Sequence, residues 1–177
     1  MKPVQLNSRT RRDSRRSVSG WLATLAVIPV LTGCQHTYTE VDIEAPLPTV
    51  WQILVDTEAY PDWNPYHVAV KGELSVGRKL EVIIHKPNGS QLTIHPRVLR
   101  LKPGEELTWG GGVTGVFKGV HQFRLEALNG DTTRLIQEET FSGLAVPFAE
   151  LDSIEEGYHQ VNHAIKKRAE TCERKSR

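Results

Sequence analysis

The chain has little cysteine. Cys34 and Cys172 are the only two in 177 residues. It also has no long hydrophobic run. Its clearest apolar core, residues 21–32, is twelve residues long, and a helix needs about twenty to cross a bilayer. A basic surplus is missing as well. Of 22 Lys/Arg and 21 Asp/Glu, residues 1–33 hold six and one, so the remainder has 16 basic against 20 acidic residues. That balance of about −4 argues against a nucleic-acid partner, which needs a basic stripe. There is no internal repeat, and no low-complexity tract beyond the basic N-terminus. No Ser-His-Asp order, Cys-His pair or phosphate loop stands out. Gly110-Gly111-Gly112 is followed by no helix, so it reads as a mobile gate or a sharp sheet bend rather than a phosphate cradle.

What is present begins with an address. Arg9, Arg11, Arg12, Arg15 and Arg16 precede the apolar core, and small residues follow it. That order is a secretory signal, expected over residues 1–33. Leu31-Thr32-Gly33-Cys34 resembles the bacterial lipobox, in which the cysteine is lipidated and becomes the mature N-terminus. Ser14-Arg15-Arg16-Ser17-Val18 resembles a twin-arginine export signal, although Val18 and Ser19 depart from its usual Phe-Leu; Sec and Tat export both stay open. With Cys34 lipidated, no structural disulfide is expected. Residues 34–37 read as the lipidated cysteine and a tether of at most ~14 Å. The domain should therefore lie close to the periplasmic face of a bacterial membrane, in the cell envelope. Apolar and charged contents of 38% and 24% suit one soluble domain after the signal.

The domain, expected over residues 38–172 with a tail at 173–177, is organised around its C-terminal stretch. Phe148, Leu151, Ile154, Tyr158, Val161, Ile165, Ala169 and Cys172 recur every three or four residues. They form the apolar stripe of a helix starting at Pro147. Mid-helix Gly157 costs about 1 kcal/mol against Ala, so a bend or a close approach beside a cavity is expected there. A stripe this long needs a long apolar partner, and the preceding hundred residues read almost entirely as strands. Strands are expected over 38–44, 66–73, 79–85, 91–101 (with Pro96 at an edge or bulge) and 107–109, with a Pro48-started helix through Val55 between the first two.

The hairpin of residues 119–141 sets its own register. His121, Phe123, Leu125 and Ala127 share one face; Leu135, Gln137, Glu139 and Phe141 share the facing one. A loop at Asn129-Gly130-Asp131 opposes Leu125 to Leu135 and His121 to Glu139, whereas a two-residue loop would bury the wrong face.

Strand, Pro-started helix and then Tyr60-Pro61-Asp62-Trp63-Asn64-Pro65 resemble the START/Bet v 1-like superfamily. The likeness is to its SRPBCC branch, the polyketide cyclase/dehydrase and lipid transport proteins, over residues 38–170. Phe117-Lys118-Gly119-Val120-His121-Gln122-Phe123 and the strand around Glu139-Thr140-Phe141 resemble the last two strands of that family. The resemblance implies an α+β helix-grip fold, with a curved seven-stranded antiparallel sheet around the C-terminal helix. It also implies an apolar cavity for lipids, sterols, polyketides or hydroxylated aromatics.

Candidate ligand-binding residues are Trp63, Tyr66, Trp109, Phe117, His121, Phe123, Phe141 and Tyr158. His121 and Glu139 are the catalytic candidates: as a pair they could exchange protons, the carboxylate favouring a charged imidazole, or form a structural hydrogen bond. His159 and His163, with Glu155 one turn earlier, have metal-ligand spacing but flank the apolar stripe, so an exposed face is expected. No metal or other cofactor is expected. The reading is a membrane-tethered, monomeric carrier or sensor of a hydrophobic small molecule. A cyclase or dehydratase in the same cavity is the alternative, and an envelope interaction module a weaker one.

Overall fold

Strand β1 (Gly33–Ile43) opens the described part of the chain, which in this computed structural model is residues 33–176. The expected signal segment, Gly33 apart, lies outside the described residues. The expected tether does not form a separate segment. Cys34 pairs with Ser142 and Thr37 with Glu139, so residues 34–37 are already sheet. Alternation begins earlier than Tyr38, with Thr37 and Thr39 as its buried polar members.

Helix α1 (Leu47–Val55) follows, with proline in its first turn as expected and Val50, Trp51, Ile53 and Leu54 buried. A 3₁₀ turn (Thr57–Asp62) leads to β2 (His67–Lys71), β3 (Glu81–His85), β4 (Gln91–Ile94), β5 (Arg97–Lys102), β6 (Glu106–Val113), β7 (Phe117–Asn129) and β8 (Thr132–Gly143). The strands form an antiparallel sheet in the order β1-β8-β7-β6-β5 and a smaller one in the order β2-β3-β4. Among the described residues there are thus eight strands where seven were expected. Pro96 is the reason: it cuts the expected strand 91–101 into β4 and β5, which join different sheets. A proline cannot donate to a ladder. The two sheets stay joined by a bridge between Lys79 and Arg97 and by the Leu80 amide donating to the Pro96 carbonyl.

The β7–β8 register is the one deduced from the sequence, with Leu125 opposite Leu135 and His121 opposite Glu139. The three glycines are neither gate nor loop; they continue β6, paired with β7 as far as Val113. Gly112 has φ of +106°, and a Cβ there would lie 2.1 Å from the Phe117 carbonyl oxygen. Only glycine fits.

Helix α2 (Ile154–Ser176) grips the concave face, so the fold is α+β helix-grip. Its ends differ from expectation. Pro147 starts a 3₁₀ turn (Val146–Phe148) that closes at extended Ala149, and the long helix begins only at Ile154. Residues 173–176 belong to the helix rather than to a tail. Ile154, Tyr158, Val161, Ile165 and Ala169 are buried as the stripe requires, but Phe148 is 88% exposed and Cys172 is exposed. Lys166, Lys167 and Arg168 lie mid-helix; Arg174 and Lys175 form the basic last turn.

Candidate functional site

A short polar loop sets the site. The Asn64 side-chain carbonyl accepts the backbone N–H groups of Tyr66 (3.1 Å) and His67 (2.9 Å), while its own backbone amide bonds to the Tyr60 carbonyl (2.8 Å). The Trp-Asn-Pro sequence therefore aims Tyr66 and His67 inward at the start of β2. Tyr66 then meets Gly157 on α2. A Cβ at 157 would lie 2.2 Å from a ring carbon of Tyr66, so this glycine admits an aromatic ring and does not face empty space.

Between α2, β6–β8 and the β2–β4 sheet lies a cavity of ≈ 330 Å³. Its apolar walls include Ile84, Leu151 and Ile154, and its aromatic walls Trp109, Phe117 and Phe141. Tyr66, His67, His121, Glu139 and Tyr158 supply the polar groups. At its mouth Lys86 on the β3–β4 turn faces Glu150 (3.6 Å), and the Asn88 amide donates to the same carboxylate (2.9 Å).

Of the expected ligand-binding residues, the cavity gathers Tyr66, Trp109, Phe117, His121, Phe141 and Tyr158. Phe123 sits behind them, buried against Trp109 and His121. Trp63 is elsewhere. It lines a groove on the outer side of α2, with the Arg168 guanidinium 5.7 Å from its ring centre. His159 and His163 border that same outer groove, exposed, with His159 3.8 Å from Glu155. Among the described residues no group of three His, Cys, Asp or Glu side chains is placed to hold a metal ion.

Glu139 and His121 are opposite in register, yet Glu139 takes a different partner. The Tyr158 hydroxyl donates a short hydrogen bond to its carboxylate, and His121 stacks on the Tyr158 ring (centroids 4.5 Å apart, 13° between planes). Burial pushes the Glu139 carboxyl up to about 7, and the Tyr158 bond only partly offsets this. By surface area Glu139 is half-buried. Glu139 also lines the cavity. A charged imidazole beside it does not form: burial, then neighbouring His67, holds His121 well below its ordinary value, with Gln137 partly opposing.

His67 is the residue sequence reasoning missed. It is 2% exposed, lies 5.5 Å from His121 ring to ring, and is pushed by burial down to about 3. Strict alternation would have put Val68 inside, but a bulge between His67 and Ala69 shifts the inward position. Among the described residues, His67 Nδ1 and His121 Nε2 are buried without a hydrogen-bond partner. Around Glu139, whose carboxyl is poised near 7, the cavity wall thus sets the neutral imidazoles of His67 and His121 and the neutral phenols of Tyr66 and Tyr158.

The sequence matches the family model described as polyketide cyclase/dehydrase and lipid transport over residues 34–170. The chain belongs to this family. Solved structures share its fold. They include the Zhui aromatase/cyclase from Streptomyces sp. R1128 (TM-score 0.64, 18% identity, covering 78% of this chain and 94% of that one). A START superfamily protein from Mycobacterium smegmatis is also similar (TM-score 0.58, 20% identity, 79% and 99%). So is the di-domain ARO/CYC BexL from the BE-7585A biosynthetic pathway (TM-score 0.61, 17% identity, 80% and 51%). Comparison with curated proteins gives no match. The family's description points to a fold that binds hydrophobic ligands.

Proposed function

We propose that this family member binds and carries, or senses, a hydrophobic small molecule in the ≈ 330 Å³ cavity while tethered to a membrane through Cys34. The cavity is the observation that carries the reading: a largely aromatic and aliphatic enclosure with a cluster of polar groups around Glu139 and further polar residues, Lys86, Thr93, His95 and Glu150, in its lining. Its size is at the lower end for a drug-sized ligand, which suits a single acyl chain or a few fused rings. The Glu139–Tyr158 pair and the two unpartnered imidazole nitrogens favour a ligand with a hydroxyl or carbonyl at one end, since buried polar groups gain by being satisfied. Cys34 is exposed at the edge of the sheet, directly after the lipobox-like residues.

A cyclase or dehydratase is the second reading, favoured by two observations. A carboxyl near 7 suits proton transfer at neutral pH, and the structural neighbours include an aromatase/cyclase. Glu139 would move the proton, with Tyr158 holding it in place.

Native mass spectrometry of the full chain, purified from membranes, tests the first reading. A bound apolar molecule should leave on denaturation, and Ile84→Phe, which narrows the cavity, should reduce its occupancy at unchanged fold. No bound molecule, or occupancy indifferent to Ile84→Phe, would count against the cavity as the binding site. Glu139→Gln separates carrier from enzyme: a carrier keeps the native ligand, whereas an enzyme accumulates an unconverted one.

A further inference from the structure

We propose that one end of the domain, formed by Val113, Val116, Leu144 and Phe148, lies against the surface of a phospholipid bilayer. The inference rests on the tethered reading above and adds which face of the domain meets the lipid.

The four side chains are 63%, 52%, 47% and 88% exposed. Other exposed apolar residues, such as Val76 and Leu128, are far apart in sequence and ordinary for a protein surface. These four are held together by backbone bonds. The Leu144 amide donates to the Gly115 carbonyl (3.0 Å), the Ala145 amide to the Val116 carbonyl (2.9 Å), and the Phe148 amide to the Ala145 carbonyl (3.1 Å). The β6–β7 turn and the β8–α2 connection therefore form one rim. No charged residue occurs between Glu106 and Lys118, or between Glu139 and Glu150, in a chain that is 24% charged. A contiguous, uncharged, exposed apolar rim marks a surface that meets another apolar phase.

The path of the chain identifies that phase. Gly33 pairs with Gly143 and Cys34 with Ser142. A Cβ on Gly33 would lie 2.7 Å from the Pro147 ring. The chain thus enters the domain beside the rim, and Cys34, which carries the lipid in the tethered reading, is the next residue. A lipid on Cys34, inserted in the bilayer here, brings Val116 and Phe148 to the lipid surface. Phe117, next to Val116, and Gly112, next to Val113, line the cavity, so the rim adjoins it.

Photolabelling of the lipidated protein purified from membranes tests the inference. The protein is reconstituted into phosphatidylethanolamine–phosphatidylglycerol vesicles containing a trace of phosphatidylcholine with a diazirine on one acyl chain. After irradiation and digestion, label is expected on peptides covering 113–117 and 144–148. In Val116→Asp/Phe148→Asp, rim labelling should fall roughly tenfold, the scale of removing an apolar side chain from lipid, while N-terminal labelling stays. Label on the N-terminal peptide alone in the wild-type protein overturns the inference and leaves the tether standing. No label on any peptide removes the tether reading, and the inference with it. A rim shielded from lipid and cross-linked to a second copy also overturns it. The wild-type result decides the question even if the double variant fails to fold.

Discussion

Replacing Glu139 by Gln should change the dependence of stability on pH in a calculable way. Gln is nearly isosteric and can still accept the Tyr158 hydroxyl. In the folded protein burial raises the Glu139 carboxyl from its ordinary 4.5 to about 7. Below about pH 4.5 both folded and unfolded chains hold the proton, and the group is neutral to stability. Between 4.5 and 7 the unfolded chain releases it while the folded chain keeps it, so wild-type stability falls as pH rises. Above 7 the full cost is present, about 3 kcal/mol. His67 acts in the opposite sense. Its folded value of about 3 lies below the ordinary 6.5, so acid favours the unfolded chain, which takes up a proton the folded one refuses. His121 shifts in the same direction. Both histidines are common to the two proteins and cancel in the difference. Urea unfolding of wild type and Glu139→Gln at several values between about pH 4.5 and pH 8 should show the variant gaining about 3 kcal/mol relative to wild type across that range. A difference that changes by less than ~1 kcal/mol would show that Glu139 is not a buried, cavity-facing acid.

Three further substitutions bear on the same architecture. Tyr158→Phe removes the hydroxyl that favours the Glu139 carboxylate, so the carboxyl should titrate still higher, seen as a protonated-carboxyl infrared band persisting to higher pH. Gly157→Ala should destabilise by about 1–3 kcal/mol in thermal melts despite better helix propensity, because the Tyr66 ring already occupies the space; a stabilised variant would refute the close approach. Asn64→Ala should cost about 2–3 kcal/mol in urea unfolding, since it strands the Tyr66 and His67 amides, and a neutral effect would mean the loop holds without them.

The pairing of His121 with Glu139 across β7 and β8 was legible because strand side chains alternate strictly and only one register buries both leucines. The family's loop was legible in Trp63-Asn64-Pro65. Other features needed the third dimension. That Glu139 bonds Tyr158 depends on the rotation and height of α2 over the sheet, which no local pattern encodes. His67 was hidden because one bulged residue reverses which side chains face inward. The start of α2 was misplaced because Phe148 and Leu151 continue its spacing, while the backbone at Ala149 is extended. Gly157 signalled a close approach, but Tyr66 as the approaching group lies 91 positions away in the chain.

The first described strand and the last are neighbours, and this has a consequence for the order of assembly. Each partner of β1 lies on β8; His36 and Thr140, 104 positions apart, sit 3.3 Å from each other at Nδ1 and Oγ1. β1 therefore gains its native partner only once the chain has been completed through Gly143. Closing so large a loop is slow compared with forming the local hairpins β3–β4 and β7–β8. The hairpins therefore form first, and the β1–β8 seam is the closing step. The edge beside Cys34 is consequently the last part of the sheet to acquire its final shape.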